Sequence, residues 1–393
     1  MRFPGFTDEW KKTTLGKIAQ VVKDKISTSV LQSNNYISTE NILQNFGGVN
    51  DNFNIPDNQN ITKYAIGDIL LANIRPYLKK IWLADRNGGC NADVLVFRPN
   101  NNSSFVYYSI ANDKFCDYVM TGAKGVKMPR GDKEQILKFE IGFPSEKEQQ
   151  KIVCLLSLID ERIATQNKII EDLKKLKSAI IDKVFCLPSE NSPHIRLGNF
   201  FDDWKIVRLS EICNKITEKN SGLKCNLVLT IAAQYGLVSQ LDFFHKNVAS
   251  ENLSSYILIR NGDFAYNKSY SGDYPWGAIK KLEHYESGVL SPLYFCFRPN
   301  PDNVNSDFLA FYFESKKWYR GVSEIAGEGA RNHGLLNISV IDFFDTLHRI
   351  PSLKEQSHIV VVLQSYQTKI DNEERLLSQY QNQRKYLLSQ LFI

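Results

Sequence analysis

The chain is written twice, and that limits its architecture more than any other feature. Arg2, Phe6, Asp8-Glu9-Trp10-Lys11, Leu15 and Ile18 return as Arg196, Phe200, Asp202-Asp203-Trp204-Lys205, Leu209 and Ile212, a step of 194 residues at the Trp. Ile66-Gly67-Asp68-Ile69-Leu70 returns as Asn261-Gly262-Asp263-Phe264-Ala265, and Phe97-Arg98-Pro99-Asn100 as Phe297-Arg298-Pro299-Asn300, now with a step of 200. Pro144-Ser145-x-Lys147-Glu148-Gln149 returns as Pro351-Ser352-x-Lys354-Glu355-Gln356, with a step of 207. Each copy is a globular part followed by a long helical pattern. A chain of 393 residues is too long for one ordinary core and suits such a division. The blocks that recur are short, and the sequence between them differs strongly. Two like frames with diverged contents are what two readers of different texts would need.

After Pro144, apolar residues fall mostly three and four apart: Ile152, Leu155, Leu156, Ile159, Ile163, Ile169, Ile170, Leu173, Leu176, Ile180 and Val184. This predicts a helix from Ser145 to Phe185, roughly 60 Å long at ~1.5 Å per residue, ended by Pro188. Ile359, Val362, Leu363, Tyr366, Ile370, Leu376, Leu377, Tyr380, Leu387, Leu388 and Leu391 repeat the pattern. Each helix alone would expose an apolar stripe. The simplest cover for each is the other helix, in an antiparallel coiled coil about a pseudo-twofold axis. Ile152, Leu155, Ile159, Leu173, Ile180, Ile359, Tyr366, Leu377 and Leu387 are the candidate pairing residues. Arg162, Gln166, Lys369 and Glu373 interrupt the seam and would set its register.

The globular parts read as short strands among loops. Candidates are Ile69–Leu71, Ile81–Ala84 and Val94–Phe97, then Leu227–Ile231, Tyr256–Ile259, Gly277–Ile279 and Leu293–Phe297. Helices follow at about Ser104–Tyr118 and Asp307–Val322. The fold class is α+β: two tandem α/β domains (1–143 and 195–350) separated by a central helix (144–187) and closed by a C-terminal one (351–393).

Two places in each copy have DNA-binding chemistry. The first is the loop after the Gly-Asp strand, with Asn73, Arg75, Tyr77, Lys79 and Lys80. Its counterpart carries Asn267, Lys268, Tyr270, Tyr274 and Trp276. Arg suits guanine, Asn suits adenine, and Lys suits phosphate. The second is the glycine loop with Lys124, Lys127 and Arg130, matched by Arg331 and Asn332. There, glycine lets backbone approach a phosphate. The ordinary alternative for each is a solvated loop.

Net charge of +5 permits nucleic-acid binding without requiring it. Aromatics at 12% are read first as core packing. Seven Cys with no Cys-x-x-Cys fit free thiols rather than disulfides or zinc. The opening MRFPGFTDEW lacks the apolar stretch of a signal peptide, and no apolar run reaches membrane-span length, so a cytoplasmic protein without membrane contact is expected. There is no P-loop, no His-Glu-x-x-His and no glycine turn for a nucleotide cofactor. The six His show no metal spacing, and Asp202-Asp203 belongs to the repeat frame. No catalytic or metal-binding residue is assigned.

Trp-Lys leading into Leu-x-x-Ile, Gly-Asp at a strand start, and Ile141-Gly-Phe-Pro144-Ser-Glu-Lys-Glu148-Gln149-Gln-Lys-Ile152 echoed by Ile350-Pro351-Ser-Leu-Lys-Glu355-Gln356-Ser-His-Ile359 occur twice in the same order. In that order the chain resembles the specificity subunits of type I restriction-modification systems over nearly its whole length. It departs at Ser145 and Ser352, where that family's pattern has a second Pro, and at the acidic Glu328. The resemblance implies two target-recognition domains reading halves of a split, asymmetric double-stranded DNA site, and a helix pair acting as a ruler. It implies two partner modification subunits that carry S-adenosylmethionine and methylate adenine. Restriction subunits with ATP and Mg²⁺ can join them, while this chain itself binds no cofactor and is not the enzyme. Two rival readings are a DNA-modifying enzyme complete in one chain and a coiled-coil assembly protein that never touches DNA.

Overall fold

The computed structural model describes residues 2–50, 54–232, 235–246, 252–269, 274–327 and 334–392. The chain forms two compact units, Met1–Lys168 with Glu374–Ile393, and Ile169–Glu373. Each unit therefore owns one globular part and one half of each long helix.

In the first unit, Lys11–Thr14 pairs antiparallel with Glu140–Phe143, so the start of the chain is clamped to the strand that leads into the long helix. A four-stranded antiparallel sheet follows, in the order Ala19–Val21, Val94–Pro99, Ile69–Ala72, Ile81–Leu83. Ile69–Ala72 is buried at every position, as a central strand covered on both faces must be. A second sheet orders Lys25–Ser27, Asn60–Tyr64, Gly88–Cys90 and Tyr36–Ile37.

The second unit repeats the frame to the residue. Lys205–Arg208 pairs with Leu347–Ile350. Its four-stranded sheet runs Cys213–Lys215, Phe295–Pro299, Phe264–Asn267, Ala278–Lys281. Cys213 opposes Pro299 as Ala19 opposes Pro99, and Phe264 opposes Phe297 as Ile69 opposes Phe97. Where the first unit has its second four-stranded sheet, the described residues of the second have two antiparallel pairs, Leu229–Ala232 with Gly236–Ser239 and Ile257–Arg260 with Ser287–Leu290. Single bridges from Lys219 to Ile257 and from Val228 to Val289 echo the pairings of the first unit's second sheet, and the hairpin at Leu229–Ser239 is what the second unit adds.

The repeated sequence blocks are the fasteners of this frame. Asp68 and Asp263, each almost fully buried, accept bidentate pairs from Arg98 and Arg298 (2.7–2.8 Å and 2.6–2.8 Å). Glu148 and Glu355 accept bidentate pairs from Arg2 and Arg196. Gln149 and Gln356 each donate to the carbonyl of the preceding Pro, 2.9 Å away in both copies, and each also holds the Asn that caps the next helix. One asymmetry stands out. Trp204 Nε1 donates to Glu355, whereas Trp10 Nε1 is buried without a hydrogen-bond partner among the described residues.

The helix expected near Ser104–Tyr118 is two helices, Ser103–Ile110 and Asp113–Thr121. Asn112 breaks it: its side-chain NH₂ donates to the carbonyls of Tyr108 and Ser109, and its oxygen caps the next helix at Phe115. The second copy likewise divides into Ser306–Glu314 and Tyr319–Ile325.

The long helices are Glu146–Val184 and Leu353–Leu391, 39 residues each. They pack together antiparallel. In the first unit, Arg384 pairs with Asp160, and the Arg162 guanidinium lies 5.9 Å from the Tyr380 ring centre. In the second, Lys177 donates to Gln367 at 2.8 Å. Residues 160 and 367, and residues 177 and 384, are both related by the repeat step of 207. The two units thus hold their helix segments at equivalent positions, by an ion pair in the first and by an ion-to-amide hydrogen bond in the second, where Lys177 also meets Glu314 at 3.0 Å. Ile152, Leu155, Ile159 and Leu387 join the first unit's core, and Ile180 and Ile359 join the second's. Leu173, Tyr366 and Leu377 are half-buried. Ile169 and Leu176, expected in the seam, are exposed at 39% and 47%. The buried stripe continues through Gln166, Ile170, Leu173, Lys177 and Ile181 at steps of three and four, so Ile169 and Leu176 stand one position off it.

Candidate nucleic-acid interface

In the first unit the two candidate loops are one structure. Arg75 N–H donates to the Pro129 carbonyl at 2.8 Å, and Gly131 N–H to Asn73 at 3.2 Å, so Ile74 and Arg130 sit side by side as a short bridge. Arg75 and Lys79 both adopt left-handed backbone (φ 52° and 55°), flanking a 3-10 turn at Pro76–Leu78. That turn puts Arg75 and Tyr77 out to solvent. The glycine loop is closed at its neck by reciprocal backbone hydrogen bonds between Lys124 and Arg130, 2.9 Å each.

The cations here fall into two groups. Arg75 and Lys127 are exposed and make no ion pair among the described residues. Lys124 and Arg130 are largely exposed but lean on Asp132 (3.1 Å) and Asp93 (2.9 Å). These four are available to a polyanion. Lys79 and Lys80 are structural anchors by their contacts. Lys79 meets Asp113 at 2.6 Å, and that hydrogen-bonded carboxylate raises its pKa. Lys80 donates to the Thr39 carbonyl at 2.7 Å, and burial lowers its pKa. Asp113 also takes Lys385 from the second long helix at 3.2 Å. The base of the loop is therefore tied to the helix pair of its own unit. Asn73 lies at that base with its amide oxygen buried and without a hydrogen-bond partner among the described residues.

In the second unit the same joint recurs. Leu336 N–H donates to the Lys268 carbonyl at 3.0 Å, and Ser269 bridges Leu335. Asn267 caps its own loop through Ser269 N–H at 3.0 Å. Lys268 lies 4.5 Å from the Phe295 ring centre, and burial lowers its pKa. Trp276 is half-buried against the core, its carbonyl taken by the Tyr266 hydroxyl. Tyr274 is also half-buried, packed on the smaller core. Tyr270, Arg331 and Asn332 lie outside the described residues.

Sequence reasoning saw the Gly-Asp and Phe-Arg-Pro-Asn blocks as marks of repetition and missed that they form one ion pair. The signal was available, since an acid and a base recur together in both copies. It also missed Tyr108, whose hydroxyl donates to Asp160 at 2.9 Å and so joins a domain helix to the helix pair. Among the described residues, no cluster of His, Cys, Asp or Glu could hold a metal ion, and no helix is long and apolar enough to cross a membrane.

Residues 7–175 match the model of the type I restriction modification DNA specificity domain. Over that stretch the chain is similar to the specificity subunits of type I restriction-modification systems. The matched stretch is the first copy with its helix, and the second copy repeats that frame strand for strand. Type I restriction specificity subunits among its relatives include the MjaVIII subunit of Methanocaldococcus jannaschii, 22% identical over 305 residues. That alignment covers 73% of this chain and 68% of the relative. The HindI subunit of Haemophilus influenzae is 22% identical over 187 residues, 45% of this chain and 41% of the relative. In fold, the chain is similar to the type I restriction-modification S subunit of M. genitalium, with a TM-score of 0.56 at 16% identity, covering 100% of this chain and 97% of that one.

Proposed function

We propose that this chain is the DNA-reading subunit of a type I restriction-modification complex. It would bind a two-part, asymmetric duplex site and position partner methyltransferase subunits. The observation that carries the reading is the contrast between copies. Strand order, register and ion pairs are the same, while the loops on the frame are Asn73–Lys80 in one unit and Asn267–Trp276 in the other. A frame that presents two different loops suits two unlike half-sites, whereas identical readers would favour a palindrome.

On this reading Arg75, Lys124, Lys127 and Arg130 make the phosphate and base-edge contacts of the first unit. Lys79 and Lys80 hold the loop rather than the DNA. Lys268, Tyr274 and Trp276 shape the second unit's loop from behind, with Asn267 at its base. The helices, shared by both units, set the half-site gap at about one turn of DNA, ~10 bp. Methyl transfer belongs to the partner, which carries S-adenosylmethionine and flips the adenine. ATP and Mg²⁺ belong to a restriction subunit where one is present. The number of partner subunits is set at two modification subunits, one per recognition unit, with up to two restriction subunits.

The test is to incubate the purified chain with duplex DNA and a labelled methyl donor, with and without its modification subunit. Label should enter DNA only when both are present. Transfer by the chain alone would make it the enzyme and overturn the proposal.

A further inference from the structure

The tip of the first unit's glycine loop carries two apolar side chains in open solvent. Val126 is fully exposed, and Met128 is 51% exposed. Neither is held by the core, and a single exposed Val would be unremarkable. Their setting is what matters. The loop is pinched at its neck by the two Lys124–Arg130 hydrogen bonds and propped at Pro129 by Arg75 N–H. Gly125 supplies the left-handed backbone (φ +101°) that turns the tip. Lys124, Lys127 and Arg130 alternate with the apolar residues, and Arg75 stands beside the neck. An apolar tip ringed by cations complements a surface that is anionic at its rim and apolar within. In the major groove of duplex DNA, phosphates line the walls, and the one apolar group on a base edge is the thymine C5-methyl.

We propose that Val126 and Met128 are specificity-determining residues that contact a thymine methyl group in the half-site read by the first unit. The inference rests on the DNA-reading function proposed above and names the chemical feature read there. The cations fix the loop on the backbone, and the valine and methionine bury the methyl. A cytosine at that position offers only hydrogen there. Burial of one methyl predicts roughly a three- to tenfold preference.

The test uses the full chain with its modification subunit and the duplex site it methylates. Each thymine of the site is replaced in turn by deoxyuridine, which keeps every hydrogen-bonding group and loses only the methyl. Wild-type protein should bind one such duplex roughly three- to tenfold more weakly. The Val126→Ser/Met128→Ser double variant, with unchanged melting temperature, should bind the thymine and uracil duplexes alike at that position. If wild-type protein binds its site specifically yet is indifferent to every uracil substitution, or if the site has no thymine, the inference fails and the reader function stands. A double variant that keeps full uracil sensitivity, or that loses its modification subunit instead, also overturns it, the latter marking the tip as a protein contact. If wild-type protein binds no duplex specifically, the reader function itself falls.

Discussion

Exchanging Asp160 and Arg384 for the residues that stand at the equivalent positions of the other unit, Gln and Lys, tests the register of the helix pair. Arg384 is 10% exposed and Asp160 33%. Removing one partner of a buried pair costs about 3–5 kcal/mol, because it strands the other charge. The partial exposure of Asp160 reduces this to about 2–3 kcal/mol for Asp160→Ala or Arg384→Ala. The double Ala variant should cost about 2 kcal/mol less than the sum, since the second change removes the charge that the first stranded. Asp160→Gln with Arg384→Lys restores the contact seen between Lys177 and Gln367 at 2.8 Å. That double exchange should cost about 1–2 kcal/mol, less than either Ala variant, because the amide keeps a hydrogen bond to the cation, though without the carboxylate that Lys177 also meets in Glu314. Differential scanning calorimetry of the full chain reads these as shifts of about 2–4 °C per kcal/mol. Additive Ala costs, or an exchange as damaging as either Ala variant, would refute the equivalence of the two contacts.

Further outcomes follow from single sites. Arg75→Ala and Lys127→Ala should each flatten the salt dependence of DNA binding by about 0.9 in log–log slope and leave the melting temperature unchanged, whereas Lys79→Ala should cost about 1 kcal/mol through its lost contact with Asp113. Gly277→Ala would set a Cβ 2.2 Å from the Asn267 carbonyl oxygen. It should lower stability by about 3 kcal/mol or more and weaken binding at the second half-site only. His348 is fully buried, and burial lowers its pKa to about 4. Thr346 Oγ1 donates to the Phe343 carbonyl and so accepts from His348 Nε2–H, leaving Nδ1 to accept from the Tyr312 hydroxyl. The unfolded chain protonates this histidine near pH 6.5 and the folded one near 4. Its contribution is therefore complete above about 6.5 and is lost as pH falls towards 4, by about 3 kcal/mol in all. Melting curves of His348→Gln across that window should fall less steeply with acid than those of the wild type.

The frame was legible in the sequence because frames depend on periodicity and repetition. The two seams of three- and four-residue spacing predicted both long helices, and the Trp-Lys, Gly-Asp and Pro-x-x-x-Glu-Gln blocks marked both domains. What those blocks do was not legible, because an ion pair such as Asp68–Arg98 joins positions 30 residues apart that only the sheet brings together. The break at Asn112 was missed because the helical pattern continues through it, and a capping side chain overrides that pattern locally. Among the loop cations, spacing could not separate the tethered Lys79 and Lys80 from the free Arg75 and Lys127. Their difference lies in Asp113 and the Thr39 carbonyl, both distant in sequence. Ile169 and Leu176 show the limit of reading a seam from apolar residues alone, since the buried stripe takes the neighbouring Ile170 and the polar Gln166 and Lys177 instead.

The most direct measurement is a genome-wide map of methylated adenines in cells that make the modification subunit with and without this chain. Methylation at one asymmetric motif, with two specified halves and a fixed unspecified gap, should appear only when the chain is present. Methylation that persists in its absence, or that falls on a continuous palindrome, would contradict the account of two unlike readers on one repeated frame.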